Sequence, residues 1–97
     1  MAVVTSRGVV VLIAAYNEAK SIRDTVSRAR QKGYPVIVVD DGSSDGTAAA
    51  VQGMDGVEVL VSERNEGKGA SLRKGIDRFL QRHETALVMM DADGQHD

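Results

Sequence analysis

Asp91 and Asp93 stand two residues apart after an apolar run, so that at the end of a strand both carboxylates can point to one side. Two hard oxygen ligands so placed suit Mg²⁺ or Mn²⁺ that also binds a diphosphate. Gln95 offers a third oxygen, and His96 beside it is a further candidate ligand. An Asp-x-Asp alone is equally a solvated turn, so its weight depends on its neighbours in space. Three other polar stretches bear on it: Tyr16-Asn17-Glu18, Asp40-Asp41-Gly42-Ser43-Ser44-Asp45-Gly46, and Arg64-Asn65-Glu66-Gly67-Lys68-Gly69. One of the two adjacent carboxylates, Asp40 and Asp41, can accept hydrogen bonds from a ribose or a base N–H. Ser43, Ser44 and Asp45 read either as ligands or as turn and cap residues. Gly67 and Gly69 around Lys68 fit a phosphate-cradling loop or a plain strand-to-helix turn, while Arg64 and Lys68 can offset diphosphate charge. Glu18 is a site residue or an acid in a helix's first turn. His83 reads as exposed at a helix end.

The elements that must position these residues are legible in the apolar pattern. Runs at Val9–Ala14, Val36–Val39, Val57–Val61 and Ala86–Met90 are continuous, as expected for parallel strands covered on both faces. Between them, Ala19, Ile22, Val26 and Ala29 recur at helical spacing, with Asn17 as N-cap and Gly33 as stop. A second, short helix of small residues begins near Asp45 to Thr47 and ends near Gly53. A third runs from about Lys68 to Arg82, with Leu72, Ile76, Phe79 and Leu80 on its apolar stripe and Gly75 as a slight weakness. The order β-α-β-α-β-α-β predicts an α/β fold with a Rossmann-like, four-stranded, mostly parallel sheet ordered 3-2-1-4 and helices on both faces. All four polar stretches then lie at one edge, by the switch point between strands 1 and 4 where such sheets bind ligands. That convergence outweighs any single motif.

Composition bounds the rest. The 97 residues form one domain, 42% hydrophobic and 27% charged, with a net charge of −2. With three aromatic residues and no basic cluster, nucleic acid is not an expected partner. No cysteine is present, which excludes sulfur redox chemistry and thiolate metal sites. The longest apolar run, Val9 to Ala15, is far short of the roughly 20 residues of a membrane span, and no signal-peptide pattern precedes it, so a cytoplasmic protein is expected.

The series Ala14-Ala15-Tyr16-Asn17-Glu18, Val38-Val39-Asp40-Asp41-Gly42-Ser43-Ser44-Asp45-Gly46-Thr47, Arg64-Asn65-Glu66-Gly67-Lys68-Gly69 and Met90-Asp91-Ala92-Asp93-Gly94-Gln95-His96 resembles the family 2 glycosyltransferases of GT-A fold. Within them it is most similar to the polyprenol-phosphate sugar transferases, the dolichol-phosphate mannose synthase type. The resemblance covers nearly the whole chain and corresponds to the N-terminal, donor-binding half of that fold. It implies that Tyr16, Asn17 and Glu18 line a nucleotide pocket, that Asp41 with Asp40 holds the base and ribose, and that Arg64, Asn65 and Lys68 lie along the nucleotide and diphosphate. Asp91, Ala92 and Asp93 would meet the nucleotide sugar, UDP- or GDP-linked, with Asp91, Asp93 and Gln95 binding the divalent metal. The chemistry implied is inverting transfer, with a lipid phosphate as a possible acceptor.

In the family, the acceptor pocket, any catalytic base and membrane-associated elements come from the segment after Asp-x-Asp, so no catalytic base is expected within these residues. Two readings follow: an enzyme's donor domain, or a catalytically incomplete module that binds nucleotide and metal or only assembles. A dinucleotide-dependent oxidoreductase would need Gly-x-Gly-x-x-Gly after the first strand, where Tyr16-Asn17-Glu18 stands instead. The last strand, with Leu87, Val88, Met89 and Met90, is predicted at an open edge, and a homo-oligomer joined there is expected.

Overall fold

A computed structural model describes residues 8–92. Asp93, Gln95 and His96 therefore lie outside the described residues. Four strands, β1 (Val9–Ala15), β2 (Val36–Asp40), β3 (Val57–Val61) and β4 (Ala86–Asp91), alternate with three helices, α1 (Ile22–Gln31), α2 (Thr47–Val51) and α3 (Lys68–Leu80). The sheet is ordered β3-β2-β1-β4, and all three pairings are parallel. The predicted topology is the observed one.

Because side chains alternate along a strand, the continuous apolar runs supply two cores. Val11, Ile13 and Ala15 of β1 join Val36 and Val38 of β2 against Ile22, Val26 and Ala29 of α1 and Val51 of α2. On the opposite face Val10, Leu12, Ile37 and Val39 meet Leu72 and Phe79 of α3. Every residue of β2 is buried. Cover on both faces is thus real for β1 and β2 but not for β4, where Val88 and Met89 are exposed and β1 is the strand partner among the described residues. The open edge expected at the last strand is present.

Two helices differ from expectation. Asn17 does not cap α1; the helix begins at Ile22, after a turn in which Ser21 and Ile22 donate their amides to the Glu18 carbonyl. Gly33 does end it, at φ 89°. In α3 the buried face carries Ser71 and Gly75, flanked by Leu72 and Phe79, while Ile76 and Leu80 of the predicted stripe are exposed. The reason is close approach. A Cβ at Gly75 would collide with the Leu12 side chain, so the residue read as a weakness sets the spacing of α3 from the sheet.

Gly75→Ala should accordingly destabilise the protein by about 1–2 kcal/mol, although alanine gains roughly 0.5–1 kcal/mol in helix propensity, because overpacking at fully buried Leu12 outweighs it. Thermal denaturation tests this directly. A raised melting temperature would show that the α3–β1 spacing is set elsewhere.

Candidate functional site

The β2–α2 loop is built by Asp40. Its buried carboxylate accepts the Ser43 amide at 2.9 Å through one oxygen and the Ala48 amide, in the first turn of α2, at 3.1 Å through the other. The start of α2 is thereby shared by Asp40 and by Asp45, one of the two candidates for its cap, whose Oδ1 accepts the Thr47 amide at 3.1 Å. Ser43, the other oxygen of Asp45 and the Thr47 hydroxyl turn to the β1–α1 loop and accept the amides of Asn17, Ala19 and Glu18 at 2.8, 3.1 and 2.9 Å. The Asn17 side chain returns the contact, its Oδ1 accepting the Ser44 amide at 2.9 Å, and its backbone takes the left-handed φ of 54° that asparagine tolerates. The Thr47 hydroxyl, with the Ala19 and Thr47 amides, holds the Asp45 carboxyl below the usual carboxylate range.

Asp41 does the same for the β3–α3 loop. One carboxylate oxygen accepts the Glu66 amide at 2.8 Å; the other accepts the Gly67 amide at 2.9 Å and Asn65 Nδ2 at 3.0 Å. The next residue must let that loop close in. Gly42 has φ 76°, and a Cβ there would strike the Arg64–Asn65 backbone. The last loop is pinned from α1: the Ala92 carbonyl accepts the hydroxyls of Ser21 at 3.2 Å and buried Thr25 at 3.0 Å.

These three ties leave a cavity of about 400 Å³ at the carboxyl ends of β1 and β4. Of the residues expected there, Tyr16, Glu18, Asp41, Asn65, Lys68, Asp91 and Ala92 line it. Asn17, Asp40 and Arg64 do not; the first two are occupied in building the loops. Ala14, Ala15, Gly67 and Ser71 complete the lining. Ala14, Ala15 and Gly67 stood within the motif strings without a role of their own, and Ser71, outside them, carries no signal beyond its place one turn into α3.

The walls differ in charge. Glu18 and Asp91 present carboxylates, Glu18 within 3.4 Å of the Ser21 hydroxyl. The lining also holds Lys68 and the N-terminus of α3, a region of partial positive charge with no acidic residue in the helix's first turn, and a third carboxylate, Asp41, already spent on the Glu66 and Gly67 amides. Lys68 Nζ bridges the two sides, 3.5 Å from Asp91 Oδ1. Among the described residues no group of three or more His, Cys, Asp or Glu side chains is placed to hold a metal ion. What Asp91 offers is one exposed hard oxygen ligand at a strand end, directed into the cavity. No helix of the described residues is long and apolar enough to cross a membrane.

The family model for glycosyl transferase family 2 matches residues 10–97. Among individual proteins, the chain is 38% identical to an uncharacterized protein of Methanocaldococcus jannaschii, over 89% of this chain and 35% of that one. It is 39% identical to the polyprenol monophosphomannose synthase of Mycolicibacterium smegmatis, over 89% of this chain and 35% of the relative. It is 40% identical to the dolichyl-phosphate beta-glucosyltransferase of Mus musculus, over 87% of this chain and 30% of the relative. The chain thus spans about a third of the length of the curated relatives it matches. A match over almost the entire chain, on a parallel 3-2-1-4 sheet whose cavity gathers the motif residues at its switch point, places this chain in glycosyl transferase family 2.

Proposed function

We propose that the chain is the donor-binding part of a sugar transferase, holding a nucleoside-diphosphate sugar, UDP- or GDP-linked, in the cavity at the ends of β1 and β4. The observation that carries this reading is the division of that cavity between carboxylates, Glu18 and Asp91, and a cationic wall, Lys68 with the start of α3. A diphosphate chelated to a divalent cation matches both walls at once. Tyr16, half exposed, offers a ring face to the base, and Asn65, on the loop that Asp41 organises from the end of β2, lines the same cavity. Asn17, Asp40 and Arg64 support these contacts through the loop backbones.

The donor chemistry fits Mg²⁺ or Mn²⁺, since Asp91 and the expected ligands Asp93 and Gln95 are all oxygen donors. A cation held by them would offset the diphosphate charge and make it a better leaving group. Within the chain, Lys68 stabilises charge on the same phosphates, and the pinned Ala92 carbonyl fixes where the Asp91 turn stands. The acceptor class is a polyprenyl phosphate, as the names of the Mycolicibacterium and mouse relatives indicate for those proteins. Such an anion attacks the anomeric carbon with inversion and without a strong general base.

Isothermal titration with UDP and with GDP, each with and without Mn²⁺, tests the reading. One of the two should bind, and at least about 10-fold more tightly with the metal. A folded sample that binds neither under any of these conditions would refute it.

A further inference from the structure

Ser71 is the one described residue whose buried side-chain oxygen meets no hydrogen-bond partner. Its side chain is 1% exposed. A helical serine ordinarily returns its hydroxyl to the carbonyl four residues back, which here is that of Gly67. The Gly67 carbonyl accepts only the Ser71 amide, at 3.1 Å, and the hydroxyl is left over. An orphaned buried hydroxyl is costly enough that native structures seldom keep one without a use. Ser71 is among the residues that line the cavity.

Its surroundings define what it would meet. The amides of Glu66 and Gly67 are consumed by the Asp41 carboxylate, so that anion is matched to the loop and not to the helix. Among the described residues, none offers an acceptor to the amides of Lys68, Gly69 and Ala70, and the cap residue Gly67 has no side chain to do so. The start of α3 therefore presents hydrogen-bond donors, the helix's partial positive charge and the Lys68 ammonium, with the Ser71 hydroxyl one turn deeper. Only an acceptor group, and preferentially an anionic one, satisfies that set.

We infer that Ser71 donates its hydroxyl to a phosphate oxygen of the bound nucleoside diphosphate, with the first-turn amides of α3 and Lys68 completing an anion subsite in the cavity that Asp91 also lines. This rests on the donor-binding reading above and adds to it a ligand group for a residue no motif contains.

Titration of the wild-type chain, Ser71→Ala and Ser71→Cys with UDP, GDP, uridine and guanosine in the presence of Mn²⁺ tests the inference. Cysteine keeps the shape and donates only weakly, which guards against a packing effect of alanine. Both variants should bind the preferred nucleoside diphosphate about 10-fold more weakly or worse, the loss typical of a hydrogen bond to a charged group. Nucleoside affinity should stay within 2-fold by the same reasoning, and thermal denaturation should find Ser71→Ala as stable as wild type, or more so. Unchanged diphosphate affinity in both variants overturns the role of Ser71 while leaving the donor reading intact. An equal loss for nucleoside and diphosphate overturns the phosphate assignment. A wild-type chain that binds none of the four overturns both.

Discussion

Replacing Asp41 by alanine is expected to lower the melting temperature by about 10–20 °C, the shift that a loss of roughly 3 kcal/mol produces in a domain of this size. The carboxylate is 3% exposed and accepts from Asn65 Nδ2 and from the amides of Glu66 and Gly67. Alanine strands three donors at once, two of them backbone groups that cannot turn away to solvent without moving the loop. Asn65, Gly67 and Lys68 would then leave their places in the cavity wall, so nucleotide affinity should fall together with stability. Asparagine is nearly isosteric, yet it should recover little. Its side chain has one acceptor oxygen and an NH₂ group, and with donors converging on both carboxylate oxygens the NH₂ must face at least one N–H. Thermal denaturation of both variants distinguishes this from a charge effect: if Asp41→Asn were as stable as wild type, the carboxylate's second oxygen would not be holding the loop.

That Asp41 is structural could not be read from the sequence, and the reason is general to this site. The strands were legible because a covered parallel strand writes itself as a continuous apolar run, and four such runs with helices between them leave few allowed topologies. From topology alone the polar stretches fall at one edge, and the cavity lies there. What local pattern does not encode is which polar side chain meets a ligand and which meets another loop. The partners of Asp41 are some 25 residues away in sequence, those of Ser43, Asp45 and Thr47 between 26 and 29. Asn17 looked like a cap for α1 because it precedes a helical pattern. Its side chain was already committed to Ser44, and the turn through Glu18 delayed the helix to Ile22. In α3 the difficulty is size. Ser71 and Gly75 are small and weak helix formers, so periodicity assigns the buried face to the larger Ile76 and Leu80, whereas close packing on Leu12 selects the small residues.

Asp91 is the opposite case, and its replacement by asparagine should weaken metal-dependent binding of the nucleoside diphosphate by about 100-fold or more while leaving stability within about 0.5 kcal/mol. The side chain is about half exposed, and among the described residues its one ion-pair partner is Lys68 at 3.5 Å, also exposed. A surface pair at that distance contributes little to folding, since water screens it and two mobile side chains must be ordered to form it. No backbone amide among the described residues depends on this carboxylate, in contrast to Asp41. Its value lies in charge offered to the cavity: an amide oxygen is a weaker ligand for a hard cation and cannot neutralise it. Removing the negative charge also releases Lys68 toward the phosphates. Affinity measured without metal should therefore hold steady or rise slightly in Asp91→Asn as the Mn²⁺-dependent gain disappears. The two measurements together separate a ligand from a scaffold residue. A variant that loses affinity equally with and without Mn²⁺ would mean that Asp91 acts by shaping the cavity, and the carboxylate wall would have to be assigned to Glu18 instead.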